Sequence, residues 1–171
     1  DALMEVQGAD LAFSPGFRWG TTLLEGQAIT REWLLDMTAT TYSYATVSEM
    51  TGETIKTVLE DVCDNLFNPD PYYQQGGDMV RVGGLQYDCT PTESAGKRIS
   101  NMRLKGQLLE PNKKYKVAGW APVSEEAKKQ NNPMVWDVVE TWLKSQNGKI
   151  APRKLNQPKL LSLGSNKGLA V

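Results

Sequence analysis

The sequence predicts an α+β fold in a single domain, with a mixed or antiparallel sheet, flanking helices and an extended C-terminal arm. Apolar residues recur at three- and four-residue steps in some segments and alternate with polar ones in others, and Gly and Pro mark the boundaries between them. The composition agrees. With 40% apolar and 23% charged residues over 171 positions, the chain suits one globular unit burying about two-thirds of its unfolded surface.

The opening DALMEVQGAD reads as a helix-to-strand passage in mid-domain. Because it lacks an initiator Met, the chain is expected to be processed or to be a fragment of something longer. Asp10 to Ser14 (DLAFS) is a short apolar strand feeding a loop, SPGFRWGTT. Ile29 to Thr38 carries Trp33, Leu34 and Met37 at helical spacing, with Thr30 as its N-cap. Ala45 to Met50 alternates like a strand. Next comes TGETIKTVLEDVCDNLF, where Thr51 caps a helix and Ile55, Val58, Leu59, Val62 and Leu66 share one face. The sequence NPDP, Asn68 to Pro71, ends it.

Met79 to Asp88 alternates around Gly83-Gly84, which predicts a bulge or a close backbone approach. RISNMRL and KYKVAGW follow, and an antiparallel meander is the economical arrangement. Asn132-Pro133 has the cap-then-Pro order that opens a helix, with Met134, Val135, Val138, Val139, Trp142 and Leu143 as its apolar stripe. From Gly148 on, Pro152, Pro158, Gly164 and Gly168 break every pattern. Residues 1–147 are thus expected to form the domain and residues 148–171 an extended arm packed on it.

Several functions are disfavoured. The net charge of −1, from 19 basic and 20 acidic residues, gives no bulk attraction for nucleic acid, so any anion site must be local. No apolar run approaches the roughly 18 residues that span a membrane. The chain has no histidine, which rules out Ser-His-Asp or Cys-His catalysis and any His-ligated metal held by this chain alone. Cys63 and Cys89 are too far apart for CxxC chemistry. They are either one bridge or two small packed thiols.

Three loops could carry chemistry. In PGFRWG, Arg18 offers a planar charged fork to an anion, with Phe17 or Trp19 walling the pocket; the plainer alternative is a hydrophobic plug. In DPYYQQGGDMVRVGG, the Gly76-Gly77 pair could deliver Tyr73, Gln75 or Arg81 to a ligand, or could simply be a hairpin connection. In VAGWAPV, Trp120 is either core or contact. Asp70, Asp78 and Asp88 are assigned to turns.

SPGFRWGTTLLEGQAITREWL, VSEMTGETIKTVLED, YYQQGGDMVRVGGLQYD, GKRISNMRLKGQLL and YKVAGWAPV together resemble the C-terminal domain of the 5'-nucleotidase superfamily. PGFRWG, QQGGDMVRVGG and VAGWAPV are more closely similar to the SoxB thiosulfohydrolases of the bacterial sulfur-oxidising pathway. The resemblance implies an N-terminal metallophosphatase domain, absent from this chain, that carries two manganese ions. The chain itself would bind no cofactor, supply substrate contacts and be inactive alone. The implied substrate is a sulfonate on a cysteine of the SoxYZ carrier arm, hydrolysed in the periplasm to release sulfate. Arg18 matches the family's substrate-binding Arg loop, and Trp120 one of two aromatic positions that stack a base in nucleotidases. The other position is replaced by GGDM, which suits a narrow Gly-lined channel for a peptide arm, with Arg81 beside it. The alternatives are a non-catalytic module docking a protein or peptide, and a nucleotide-binding 5'-nucleotidase domain.

Overall fold

The computed structural model describes residues 1–14, 22–38, 43–119, 131–151 and 155–162. Helix α1 (Ala2–Gln7) stops at Gly8, whose φ of 60° is the left-handed conformation that terminates helices. Strand β1 (Leu11–Ser14) follows. Thr30 starts α2 (Arg31–Thr38), its hydroxyl accepting the Trp33 N–H at 3.2 Å. Strand β2 (Thr46–Thr51) hands Thr51 to α3 (Gly52–Phe67), where the hydroxyl accepts the Thr54 N–H at 3.1 Å. On α3, Ile55 and Leu59 are fully buried, but Val58, Val62 and Leu66 are only partly so. Cys63 and Glu60 complete the inner face instead.

After α3, Asp70 caps a short 3-10 turn at Pro71–Tyr73, accepting the Tyr72 N–H at 2.9 Å. Strands β3 (Arg81–Gly83) and β4 (Leu85–Cys89) are separated by Gly84 alone, yet they belong to different sheets. The switch uses a φ of 76° at Gly84, where a Cβ would lie 3.2 Å from the Asp10 carbonyl oxygen. The Gly pair is therefore a close backbone approach at a hinge between sheets.

The remaining elements are β5 (Ile99–Leu104), β6 (Gln107–Leu108), β7 (Lys114–Gly119), α4 (Val135–Ser145) and β8 (Lys159–Leu160). The first sheet has the order β2-β7-β1-β3, with β7 parallel to β1 and the other pairs antiparallel. The second has the order β6-β5-β4-β8, with β8 parallel to β4. The expected meander thus holds only for the antiparallel pair β4 and β5, which β6 extends. β7 instead crosses to the middle of the first sheet, where Tyr115 and Val117 are buried against the core. A continuation beyond β6 would have left them on an edge where Leu108 is 57% exposed. Asp88 is also corrected, since it lies in β4 and not in a turn. Helix α4 begins at Val135, not at Asn132-Pro133. The Pro133 carbonyl accepts the Ala45 N–H and the Val135 N–H donates to the Ser43 carbonyl, which keeps that stretch extended.

Alternation along the strands separates two cores. Leu11, Phe13 and Val117 face the larger one, shared with α3 and the second sheet. Ala12 and Ala118 face the smaller one, under α1 and α4. The second sheet is fixed to α3 by buried polar groups. Glu60 accepts the N–H groups of Gly96, Arg98 and Ile99 at 3.0, 3.2 and 2.7 Å. Arg98, 1% exposed, donates in turn to Asp64 at 2.5 Å and to the carbonyls of Phe67 and Pro91 at 3.1 and 3.3 Å. Its Nε and both of its terminal amino groups each have an acceptor, which is what makes a buried guanidinium tolerable.

Candidate functional site

Strand register brings the residues that flank the three candidate loops to one end of the first sheet. Ser14, the residue before PGFRWG, pairs with Arg81, the residue after the QQGGDMV segment. Phe13 pairs with Gly119, the residue before Trp120. Three strand ends far apart in sequence thus lie side by side because β1 lies between β3 and β7. Phe17, Arg18, Trp19 and Trp120 themselves lie outside the described residues.

The Gly76-Gly77 segment leaves α3 by way of the capped turn. The Gly76 N–H donates to the Asn65 carbonyl at 3.2 Å, which holds the segment against the helix end. Gly76 and Gly77 have φ of 76° and 94°, and a Cβ at either would meet nothing within 4 Å. Among the described residues, then, these glycines satisfy a backbone conformation and do not line a tight channel. A close approach occurs instead at Gly119, where a Cβ would sit 3.0 Å from the Phe13 carbonyl oxygen. Tyr72 and Tyr73 stand 95% and 66% exposed beside the glycines.

Arg81 is exposed and borders an open cleft of about 340 Å³ on the helix-covered face of the first sheet. Ser14 and Arg81, Ala2 and Leu3 of α1, and Asn156 and Gln157 are among the residues that line it. The cleft exists because β1 and β3 present Ala12, Ser14 and Gly83 on this face, where larger side chains would fill it. Sequence reading missed Asn156 and Gln157, which sit in an aperiodic stretch and carry no motif, so only their placement reveals them.

The sequence has no histidine, and among the described residues no three Cys, Asp or Glu side chains come together as ligands. Among the described residues, no helix is long and apolar enough to cross a membrane. What the geometry offers is the exposed Arg81 after a Gly-bearing segment at the end of a sheet, beside a largely apolar cleft.

Residues 1–129 match the sequence pattern of the 5'-nucleotidase C-terminal domain. No curated protein sequence gives a match. Among solved structures, sulfate thiohydrolase SoxB from Thermus thermophilus, in complex with glycerol, superposes with a TM-score of 0.83 at 35% identity. That match covers 94% of this chain and 30% of the neighbour. A 5'-nucleotidase precursor, also from Thermus thermophilus, gives a TM-score of 0.68 at 16% identity, covering 94% of this chain and 34% of the other. The NAD nucleotidase of Haemophilus influenzae gives 0.64 at 16% identity, over 94% and 32%. The last two show a shared fold. The chain spans about a third of the length of each of these structures.

Proposed function

The chain belongs to the 5'-nucleotidase C-terminal-domain family, and from that premise we propose that it is the substrate-recognition domain of a SoxB-type thiosulfohydrolase. The reaction is hydrolysis of the sulfonate from a cysteine S-thiosulfonate on the SoxYZ carrier arm, releasing sulfate in the periplasm. The observation that supports this most is the 35% identity to the Thermus SoxB over 94% of the chain, against 16% to the nucleotidases. PGFRWG and VAGWAPV, which carry the resemblance, also flank paired strand ends, Phe13-Ser14 and Gly119.

In this reading the chain binds and orients. A sulfonate is a compact anion with several acceptor oxygens, and the Arg18 guanidinium can hold two of them in its plane. Phe17, Trp19 and Trp120 exclude water around the anion. Arg81, which pairs with Ser14, and the Gly76-Gly77 segment flank the peptide leading to the modified cysteine. Activation of water belongs to a separate N-terminal metallophosphatase domain with two manganese ions, so the chain alone is inactive.

The test is reconstitution. A Gly-Gly-Cys-Gly-Gly peptide bearing a thiosulfonate on Cys is titrated against this chain, with and without the metallophosphatase domain and manganese. Binding that tightens on reconstitution, with sulfate released only when both halves and the metal are present, is the expected result. Binding indifferent to the second domain, with no sulfate under any condition, would leave a docking module and overturn the reading.

A further inference from the structure

Cys63 on α3 and Cys89 on β4 lie with their Sγ atoms 3.6 Å apart in the larger core, 0% and 3% exposed. Both are free thiols in the described structure. A small hydrophobe could fill either position, and a pair of thiols in contact does more than fill space. The two sulfurs already touch in the core, so bond formation requires them to close from 3.6 Å to about 2.05 Å.

The connection between them matters more than the contact. The 26-residue separation contains the end of α3, the capped turn, exposed Tyr72 and Tyr73, Gly76-Gly77 and Arg81. It therefore includes the candidate loop that reaches the end of the first sheet. We propose that Cys63 and Cys89 form a disulfide that closes this segment into a covalent loop and limits the conformations open to Asn68–Arg81. The inference rests on the packing of α3 against β4 and holds whatever ligand the sheet end takes.

The chemistry is thiol–disulfide exchange with a protein or small-molecule disulfide as oxidant. One cysteine attacks the oxidant as thiolate, forming a mixed disulfide and displacing one thiol. The second cysteine then attacks the protein-side sulfur, forming the Cys63–Cys89 bond and displacing the other thiol. The protein loses two electrons and two protons, and the oxidant's sulfurs gain them. Buried as they are, the sulfurs meet the oxidant while α3 is undocked, during folding or a local opening. In the reduced protein Cys63 holds its proton far above the usual thiol range, bonded to Cys89 and removed from water, whereas the same bond lowers Cys89.

The full chain is refolded in a buffer of reduced and oxidised glutathione, alkylated, digested without reductant and mapped by mass spectrometry. The expected product is one linked peptide pair joining Cys63 to Cys89, with neither cysteine alkylated. Recovery of both as alkylated thiols, or as separate glutathione adducts, from protein with native circular dichroism would overturn the proposal. As a second measurement, reduction should lower Tm by on the order of 10 °C for a loop and chain of this size. The Cys63→Ala/Cys89→Ala double variant should show no such response to reductant. Equal responses in both proteins would likewise overturn the proposal.

Discussion

Arg98 is the residue on which the second sheet depends most. Its guanidinium is 1% exposed and donates to Asp64, Phe67 and Pro91. Arg98→Met keeps the bulk but leaves those acceptors without a donor. Asp64 can recover water through its 31% exposure, so the loss should be about 3 kcal/mol, at the lower end for a broken buried pair. Urea unfolding checks this; a midpoint within error of the parent would show that the cluster is dispensable. Arg18 predicts the opposite pattern. In the proposed holoenzyme, Arg18→Ala should leave unfolding unchanged and raise the barrier by roughly 2–4 kcal/mol, as for a lost oxyanion donor. Unchanged kcat/KM with the thiosulfonate peptide would remove Arg18 from the site. Residue by residue, caps were legible and buried polar partners were not. Thr51 and Thr30 announce themselves by type and position, because a cap bonds within three residues. Glu60 and Arg98 bond across 38 positions, and nothing local distinguishes a buried Glu from a solvated one.

Each strand and helix shows the same division between local and distant causes. DLAFS, TGETIKTVLEDVCDNLF and VSEM formed the elements their periods predict, whereas KYKVAG was assigned to the wrong sheet. A strand's period fixes which side chains share a face, not which neighbour it takes, and burial of Tyr115 and Val117 decided that globally. Gly52 marks where this becomes testable. It opens α3, and a Cβ there would lie 2.4 Å from the Glu110 carbonyl oxygen, a backbone atom with little freedom to retreat. Gly52→Ala should therefore destabilise by roughly 1–3 kcal/mol despite the better helix propensity of Ala. Gly76→Ala meets open space but a φ of 76°, so its cost should be about 1 kcal/mol of backbone strain. Thermal unfolding of the two variants separates the mechanisms: a Gly76→Ala loss as large as that of Gly52→Ala would mean that the Gly76 segment packs against something. The motifs divide accordingly. TGETIKTVLE and GKRI hold the frame through Gly52, Glu60 and Arg98. PGFRWG and VAGWAPV flank the paired ends of β1 and β7.

Considered whole, the molecule joins its layers through carboxylates, and this sets its response to acid. Asp64 ties α3 to Arg98 at the entry to β5, and hydrogen bonds from Arg98 and then Asn68 hold its carboxyl below the ordinary carboxylate range. Glu140 on α4 is held low in the same sense, first by Lys144 and also by Arg31 of α2. A carboxyl whose folded pKa is depressed binds its proton more readily in the unfolded chain. Its contribution to stability is complete above the unfolded value, about 4, and disappears as pH falls through the lower folded value. The urea midpoint should accordingly be level with respect to these groups from neutral pH to about 5 and decline below about 4. The two pairs should then part company in salt. Arg31 is more than half exposed, so its attraction to Glu140 should be screened at molar ionic strength, whereas the buried Arg98 end keeps the Asp64 pair largely intact. Asp64→Asn should flatten the acid limb at both low and high salt, and Glu140→Gln only at low salt. An acid limb of unchanged slope in Asp64→Asn would mean that other carboxylates set the acid response.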